Sequence, residues 1–315
     1  MYDNFVMNQS ETPYISVVVP VYGSDEVLGE LYERTAKTLE SITPNFEFIF
    51  VNDASPDNAW EIIKKLKLSD ERIRGINLSR NFGQYPALTA GLRACRGEWI
   101  VVMDCDLQDL PEAIERMYQK AQEGFYVVVG SRQERHDSRL RLFVSWGFYA
   151  TLGYLTGRQH DRTLANFGIY QRRVIDAVLS IEDHMRYFSV MVRWVGFRTA
   201  VVPVKHAPRK GGVSGYSFMK LFSLATDIIL AYSEKPLRII VRLGALVTIV
   251  AAGYLVLVTT NSFDVRSSQS LETLTGSLWL IFGLLTTLLG IIALYVGKIF
   301  EETKKRPIYI VQEEI

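Results

Sequence analysis

Three carboxylates fall within six residues, Asp104, Asp106 and Asp109, directly after the apolar run WIVVM. Like charges at that spacing repel unless a cation lies among them, and an all-oxygen ligand set suits Mg2+ or Mn2+. Such a metal bridges a diphosphate and neutralises a departing phosphate. The same residues also suit an acidic loop ahead of a helix opening near Pro111, where negative charge meets the positive end of the helix dipole; Asp109 is placed for that role. Asp53 ends a second apolar run, FEFIFVND, where a carboxylate can accept hydrogen bonds from a ribose or base, or instead shape a turn. His136, His160, His184 and His206 lack metal-ligand spacing and read as surface or loop residues.

These carboxylates need a scaffold, and the surrounding pattern supplies one. Short apolar runs at 15–19, 46–51, 73–78, 99–103 and 126–129 read as strands, the first ending at Pro20. Between them lie helical patterns at 25–42, 56–68 (with Ser55 as a cap), 85–94 and 111–122, the last with Pro111 in its first turn. Repeated strand–helix units imply a doubly wound α/β sheet, in which ligands bind beyond the C-terminal strand ends. Asp53 and Asp104 stand at such ends. The chain contains neither GxGxxG nor GxxxxGK[ST], which argues against a dinucleotide fingerprint or an ATPase loop.

The bulk composition hides a division. The 315 residues carry 35 Lys+Arg against 34 Asp+Glu, a net charge of +1, so a nucleic-acid binder with a basic footprint is disfavoured. With 48% hydrophobic residues and nearly balanced charge, the chain is not intrinsically disordered. Two cysteines, Cys95 and Cys105, cannot staple so long a chain and read as reduced thiols. The mean hydropathy of +0.09 conceals two long apolar stretches: 239–258, with Arg242 as its sole charge, and 274–297, with none. About 20 helical residues cross a hydrocarbon core, so both are expected to span a membrane. Lys235, Arg238 and Arg242 precede the first; Lys298, Lys304, Lys305 and Arg306 follow the second; the loop between has only Arg266 as a basic residue. The positive-inside rule then puts both termini in the cytoplasm and makes the chain a multi-pass protein of the cytoplasmic membrane. The expected organisation is a catalytic domain over 1–235, two spans within 236–300 and a cytosolic tail over 301–315. Stretches 140–155 and 218–233 are apolar, aromatic and short for spans, which suits helices lying in the interface or ordinary core helices. Gly276, Gly283 and Gly290 leave room for helix association and hence a homo-oligomer, though the same glycines suit simple helix flexibility.

The blocks ISVVVPVY, FIFVNDASPDN, NLSRNFGQYPALTAGL and WIVVMDCDLQDLPE resemble the start of family 2 glycosyltransferases with the GT-A fold. The segment GIIALYVGKIFEETKKRPIYIV resembles the last span and tail of membrane-anchored polyprenyl-phosphate glycosyltransferases, relatives of dolichol-phosphate mannose synthase and of bacterial O-antigen glucosyl transferases. The resemblance covers about 14–311. It implies a GT-A-like nucleotide-sugar-binding domain followed by interfacial and transmembrane helices, and inverting transfer of a sugar from a UDP- or GDP-linked donor to undecaprenyl or dolichyl phosphate. It further implies that Pro20, Tyr22 and Asp53 hold the nucleoside, and that Asp104, Asp106 and Gln108 hold Mg2+ or Mn2+ on the donor diphosphate. By the same likeness Arg132 and Arg139 would face the acceptor phosphate. Arg209 would contact donor phosphates, and Lys210 and Ser214 would join Arg132 and Arg139 at the acceptor phosphate.

Two positions depart from the family pattern. Many relatives carry an Asp, proposed as the base, where this chain has Asn166, and an amide cannot take a proton. Asp161 could substitute, or no strong base is needed, or the acceptor is a non-phosphorylated lipid or glycan. Relatives often read GxSKxS where this chain reads Gly212-Val213-Ser214-Gly215-Tyr216-Ser217, so the Lys charge is absent there unless Lys210 supplies it.

Overall fold

The computed structural model describes residues 12–132, 164–181, 187–205 and 269–315, together with the helical positions 239, 242, 244, 246 and 249. The chain forms two compact units: Met1–His136, Asp161–Ser214 and Arg306–Ile315 make one, and Asp137–His160 with Gly215–Lys305 the other.

The first unit is built on an eight-stranded sheet. Its strands are β1 (Ile15–Val21), β2 (Phe46–Asn52), β3 (Ile73–Leu78), β4 (Trp99–Val102), β5 (Val127–Arg132), β6 (Leu164–Gln171), β7 (Thr199–Val204) and β8 (Val311–Glu314), in the order β7-β5-β6-β4-β1-β2-β3-β8. The four central strands β4-β1-β2-β3 are parallel. Residues of β1, β2 and β4 are buried on both faces, which is why they read as continuous rather than alternating apolar runs. Helices α1 (Leu28–Glu40), α2 (Ala59–Ser69) and α4 (Ala113–Gln122) pack on one face through Leu28, Leu31, Ile63, Ile114 and Met117. Helices α3 (Gln84–Ala94), α5 (Arg172–Leu179) and α6 (Phe188–Trp194) cover the other through Leu88, Val174, Ile175 and Phe188. Helix α3 lies close on the sheet because Gly91 has no side chain: a Cβ there would collide with Val18 Cγ1 and come within 2.9 Å of Val51.

Three local features differ from expectation. Helix α2 starts at Ala59, and the acceptor for the Ala59 N–H is Asp57 Oδ1 (3.1 Å); Ser55 caps nothing and instead donates to Asp57 (2.6 Å). Helix α4 starts at Ala113, so Pro111 lies in the preceding turn, where its carbonyl accepts from Ile114 N. The sheet is mixed: β6 runs antiparallel to β4 and β5, and β8 antiparallel to β3. Strand β8 comes from the C-terminal segment, held by reciprocal backbone bonds between Gly75 and Ile315 (3.0 and 2.9 Å), by Trp60 Nε1 to Glu313 (3.0 Å) and by Arg74 to Glu314 (2.8 Å).

In the second unit, helix α7 (Gln269–Thr303) runs for 35 residues and includes the uncharged stretch 274–297. Of the other expected span, Ile239, Arg242, Gly244, Leu246 and Ile249 are helical. No span is identified among the described residues. Stretches 140–155 and 218–233 lie outside them.

Candidate functional site

The parallel strands end at one level. Continuing the β1–β2 register by one residue sets Tyr22 beside Asp53, and continuing the β1–β4 register by two residues sets Pro20 beside Asp104. The candidate nucleoside and diphosphate residues therefore share the C-terminal sheet edge, the place where a parallel α/β sheet binds ligands. Tyr22 is exposed, with 51% of its surface accessible, and Pro20 is half-buried.

The loops at this edge are tied to one another. Gly23, at φ +65°, donates its N–H to Ser55 Oγ (2.7 Å), and Asp25 N donates to Asp57 Oδ2 (3.1 Å). Burial pushes the Asp57 carboxyl up, but the Ser55 hydroxyl and the N–H groups of Ala59 and Asp25 outweigh it, so its pKa falls below the ordinary value. Asn52 Nδ2 donates to Asn77 Oδ1 (2.8 Å), bridging the ends of β2 and β3. Asp57 was not singled out from sequence; the signal for it is an Asp two residues before the first helical position.

Asp53 is buried, and both its oxygens accept from the loop after β3: Oδ1 from Phe82 N (2.7 Å), Oδ2 from Gly83 N (2.8 Å). Its pKa is raised by burial, against the two backbone donors and the nearby Arg80, which lower it. Arg80 itself is exposed, its guanidinium 4.1 Å over the Phe82 ring. Each carboxylate oxygen has a second lone pair, so Asp53 can hold this loop and still accept from a nucleoside.

Asp104 is half-buried beyond β4 and accepts from Gln84 Nε2 at 2.7 Å. Asp106 Oδ1 accepts from the Gln108 backbone N (3.2 Å), an Asx turn that closes the loop; the Gln108 side chain is half-buried. The residues after Asp53 and Asp106 are left-handed without being glycine: Ala54 at φ 49° and Leu107 at φ 56°. Such conformations cost roughly 1–3 kcal/mol and persist where the surroundings over-determine them, commonly at ligand sites. Asp109 is buried ahead of α4, whose capping position is Glu112, and the Glu112 carboxylate pairs with Arg34 (2.9 Å). Between Asp104 and Asp106, the Cys105 thiol is buried and pushed up by that burial, which suits an unreactive thiol.

Among the described residues no group of three or more His, Cys, Asp or Glu converges as a metal cage. Asp104 and Asp106 beyond β4 offer two half-buried carboxylates, a donor set compatible with an Mg2+-type ion, which takes one or two carboxylates and completes its shell with water and substrate phosphates.

The other expected residues are only partly described. Arg132 ends β5 opposite Val204. Asn166 lies on β6, and extending the β4–β6 register by two residues sets it opposite Asp104. Asp161, Arg139, Arg209, Lys210 and Ser214 lie outside the described residues, as do the four histidines.

The chain is similar to several known proteins. The family model described as Glycosyl transferase family 2 matches residues 16–179. A Bacillus subtilis (strain 168) protein named uncharacterized glycosyltransferase YkcC is 33% identical over 300 residues, covering 95% of this chain and 93% of its own. The undecaprenyl-phosphate 4-deoxy-4-formamido-L-arabinose transferase of Proteus mirabilis (strain HI4320) is 31% identical over 307 residues, covering 96% of this chain and 94% of its own. The structure of S. aureus TarS 1-349 in complex with UDP-GlcNAc is similar over 69% of this chain and 65% of its own, at 19% identity and a TM-score of 0.48.

Proposed function

The chain belongs to glycosyl transferase family 2, enzymes that transfer a sugar, and from that premise we propose that it moves the sugar of a UDP- or GDP-linked donor onto a polyprenyl phosphate, with inversion, at the cytoplasmic face of a membrane. The product is a polyprenyl-phosphate-linked sugar for cell-envelope glycan modification. The observation that carries this reading is the alignment with the P. mirabilis transferase, whose name specifies an undecaprenyl-phosphate acceptor and which matches over 96% of this chain, the apolar C-terminal region included.

The site's chemistry agrees. Pro20, Tyr22 and Asp53 line the nucleoside end of the sheet edge, and Asp104 and Asp106, with Gln108, hold Mg2+ or Mn2+ at the diphosphate end. When bound, the metal neutralises the charge that develops on the leaving diphosphate. Arg132 and Arg139, with Lys210 and Ser214, meet the acceptor phosphate, and Arg209 takes donor phosphate oxygens, since arginine forks suit phosphates. A phosphate monoester, with a second pKa of about 6, is already largely ionised near neutral pH and attacks without a strong base. The amide at Asn166 is compatible with such an acceptor and can orient a sugar hydroxyl; Asp161 is the remaining candidate base.

Helix α7 supports the membrane location. Its uncharged 274–297 stretch covers about 36 Å at 1.5 Å per residue. Leu278, Phe282, Leu285, Leu289, Val296 and Ile299 on it are each more than half exposed. Apolar side chains left open at this density require a non-aqueous or protein partner. Gly276, Gly283 and Gly290 on the same helix suit a homo-oligomer in the bilayer.

The full chain, incubated in nanodiscs with UDP- and GDP-sugars, undecaprenyl phosphate and Mg2+ or Mn2+, should form a lipid-linked sugar detectable by mass spectrometry of the extracted lipid. Folded protein that forms none with any donor, or that glycosylates unphosphorylated polyprenol as readily, overturns the acceptor assignment.

A further inference from the structure

The loop that enters α3 touches both ends of the candidate site. Phe82 and Gly83 donate their backbone N–H groups to Asp53, and the next residue, Gln84, donates its side-chain amide to Asp104 (2.7 Å). An ionised carboxylate only accepts, so the amide nitrogen must face Asp104. The segment is held on both sides of Gln84. Gly83 sits at φ +100°, open to glycine and strained for other residues. Its carbonyl accepts the first helical bond, from Ala87 N (3.1 Å). Tyr85, on the other side of Gln84, meets Tyr187 edge-on at 5.2 Å between centroids. Gln84 is thus held on a fixed backbone, between a buried carboxylate it does not touch and a half-buried one that it does.

We propose that Gln84 is a positioning residue: it fixes the orientation of the Asp104 carboxylate and joins that carboxylate to the loop which Asp53 anchors, so that the nucleoside and diphosphate ends of the site keep a set separation. The role rests on the reading of Asp104 as a donor-diphosphate and metal residue. A hydrogen bond to a charged group is among the stronger ones. Its loss leaves Asp104 free to turn, and the effect falls on metal-dependent nucleotide binding.

The test measures binding rather than turnover. Full-length wild type, Gln84→Ala, Gln84→Glu and Asp104→Asn are titrated with UDP and with GDP, each in Mn2+ and in EDTA, by calorimetry. Gln84→Ala should weaken Mn2+-dependent nucleotide binding roughly 10- to 100-fold, leave binding in EDTA near wild type and melt close to wild type. Gln84→Glu, which sets two carboxylates against each other, should weaken it further; it is nearly isosteric and carries the test if the alanine variant does not fold. Wild-type Mn2+-dependent binding in both Gln84 variants, while Asp104→Asn loses it, overturns the role of Gln84 and leaves the site intact. Equal weakening with and without Mn2+ also overturns it, since Gln84 would then merely support the loop. Wild-type binding in Asp104→Asn overturns the reading of Asp104, and with it this inference.

Discussion

Asp53→Asn is the substitution on which the sheet-edge geometry makes its sharpest prediction. In the native protein each carboxylate oxygen takes one backbone donor, Phe82 N at 2.7 Å and Gly83 N at 2.8 Å, in a site only 3% exposed. An amide of the same shape has one acceptor, so one of the two N–H groups must face an NH2. A buried donor left without an acceptor costs about 1–3 kcal/mol, and the surviving bond drops from charge-assisted to neutral, a loss of about 1 kcal/mol. Removing a buried charge returns part of this, because burial disfavours the ionised Asp53. The net expectation is a loss of about 1–3 kcal/mol near neutral pH.

The pH dependence carries its own sign. The folded-state pKa of Asp53 is raised above the ordinary value of 3.8, with burial as the largest cause. A carboxyl with a raised pKa contributes stability that is fully present below the unfolded value and lost as pH rises through the folded one. Wild type therefore gains relative to Asp53→Asn on acidification, and the gap between their melting temperatures widens from pH 7 toward pH 4. Because the freed loop also carries Gln84, the variant should bind Mn2+ with UDP or GDP more weakly. Thermal melting across that pH range and calorimetric titration check both effects. A gap that narrows on acidification means the backbone donors outweigh burial and refutes the electrostatic reasoning; unchanged nucleotide binding refutes the linkage between loop and site.

Two further outcomes follow from geometry away from the nucleotide. Asp70 is held down to about 2 by Arg72, whose side chain lies 2.7 Å away, with a further bond from the Tyr32 hydroxyl. Its stabilisation, about 1–2 kcal/mol after solvent screening, is present above the ordinary value of 3.8 and lost as pH falls toward 2. Asp70→Asn should thus be the less stable protein at pH 6, with the gap to wild type closing as pH falls to 2 in denaturant titrations. Removing residues 311–315 should cost about 1–3 kcal/mol, net of the ordering entropy of the strand. It should also speed amide exchange at Gly75, which loses its 3.0 Å bond to the Ile315 carbonyl, and promote aggregation through the bared β3 edge. Unchanged exchange at Gly75 would show that β8 is not paired there.

What was legible in the sequence was local. The runs forming β1, β2 and β4 read as apolar because both faces are buried, and a carboxylate follows the β2 and β4 runs at the C-terminal sheet edge, so Asp53 and Asp104 could be placed from pattern alone. Contacts decided by neighbours far along the chain were not legible. The segment VQEEI reads as a polar tail, and all four residues of β8 are exposed; it becomes a strand because β3 offers an unpaired edge and Trp60 and Arg74 stand ready for its carboxylates. The direction of β6 follows from how the chain returns to β4, which no run of residues encodes. Ser55 looked like the cap of α2, but Asp57 is the stronger acceptor and also reaches Asp25 N on the neighbouring loop. The same limit applies at the centre of the site. Ala54 and Leu107 give no sign of a left-handed backbone, and nothing in FGQYP reveals that Gln84 reaches a carboxylate 20 residues on. The carboxylates are set by strand ends, which sequence periodicity exposes. Their orientation depends on strained turns and on a side chain from another loop, and under the proposed function it is this orientation that decides whether a diphosphate and a cation can be held together at the sheet edge.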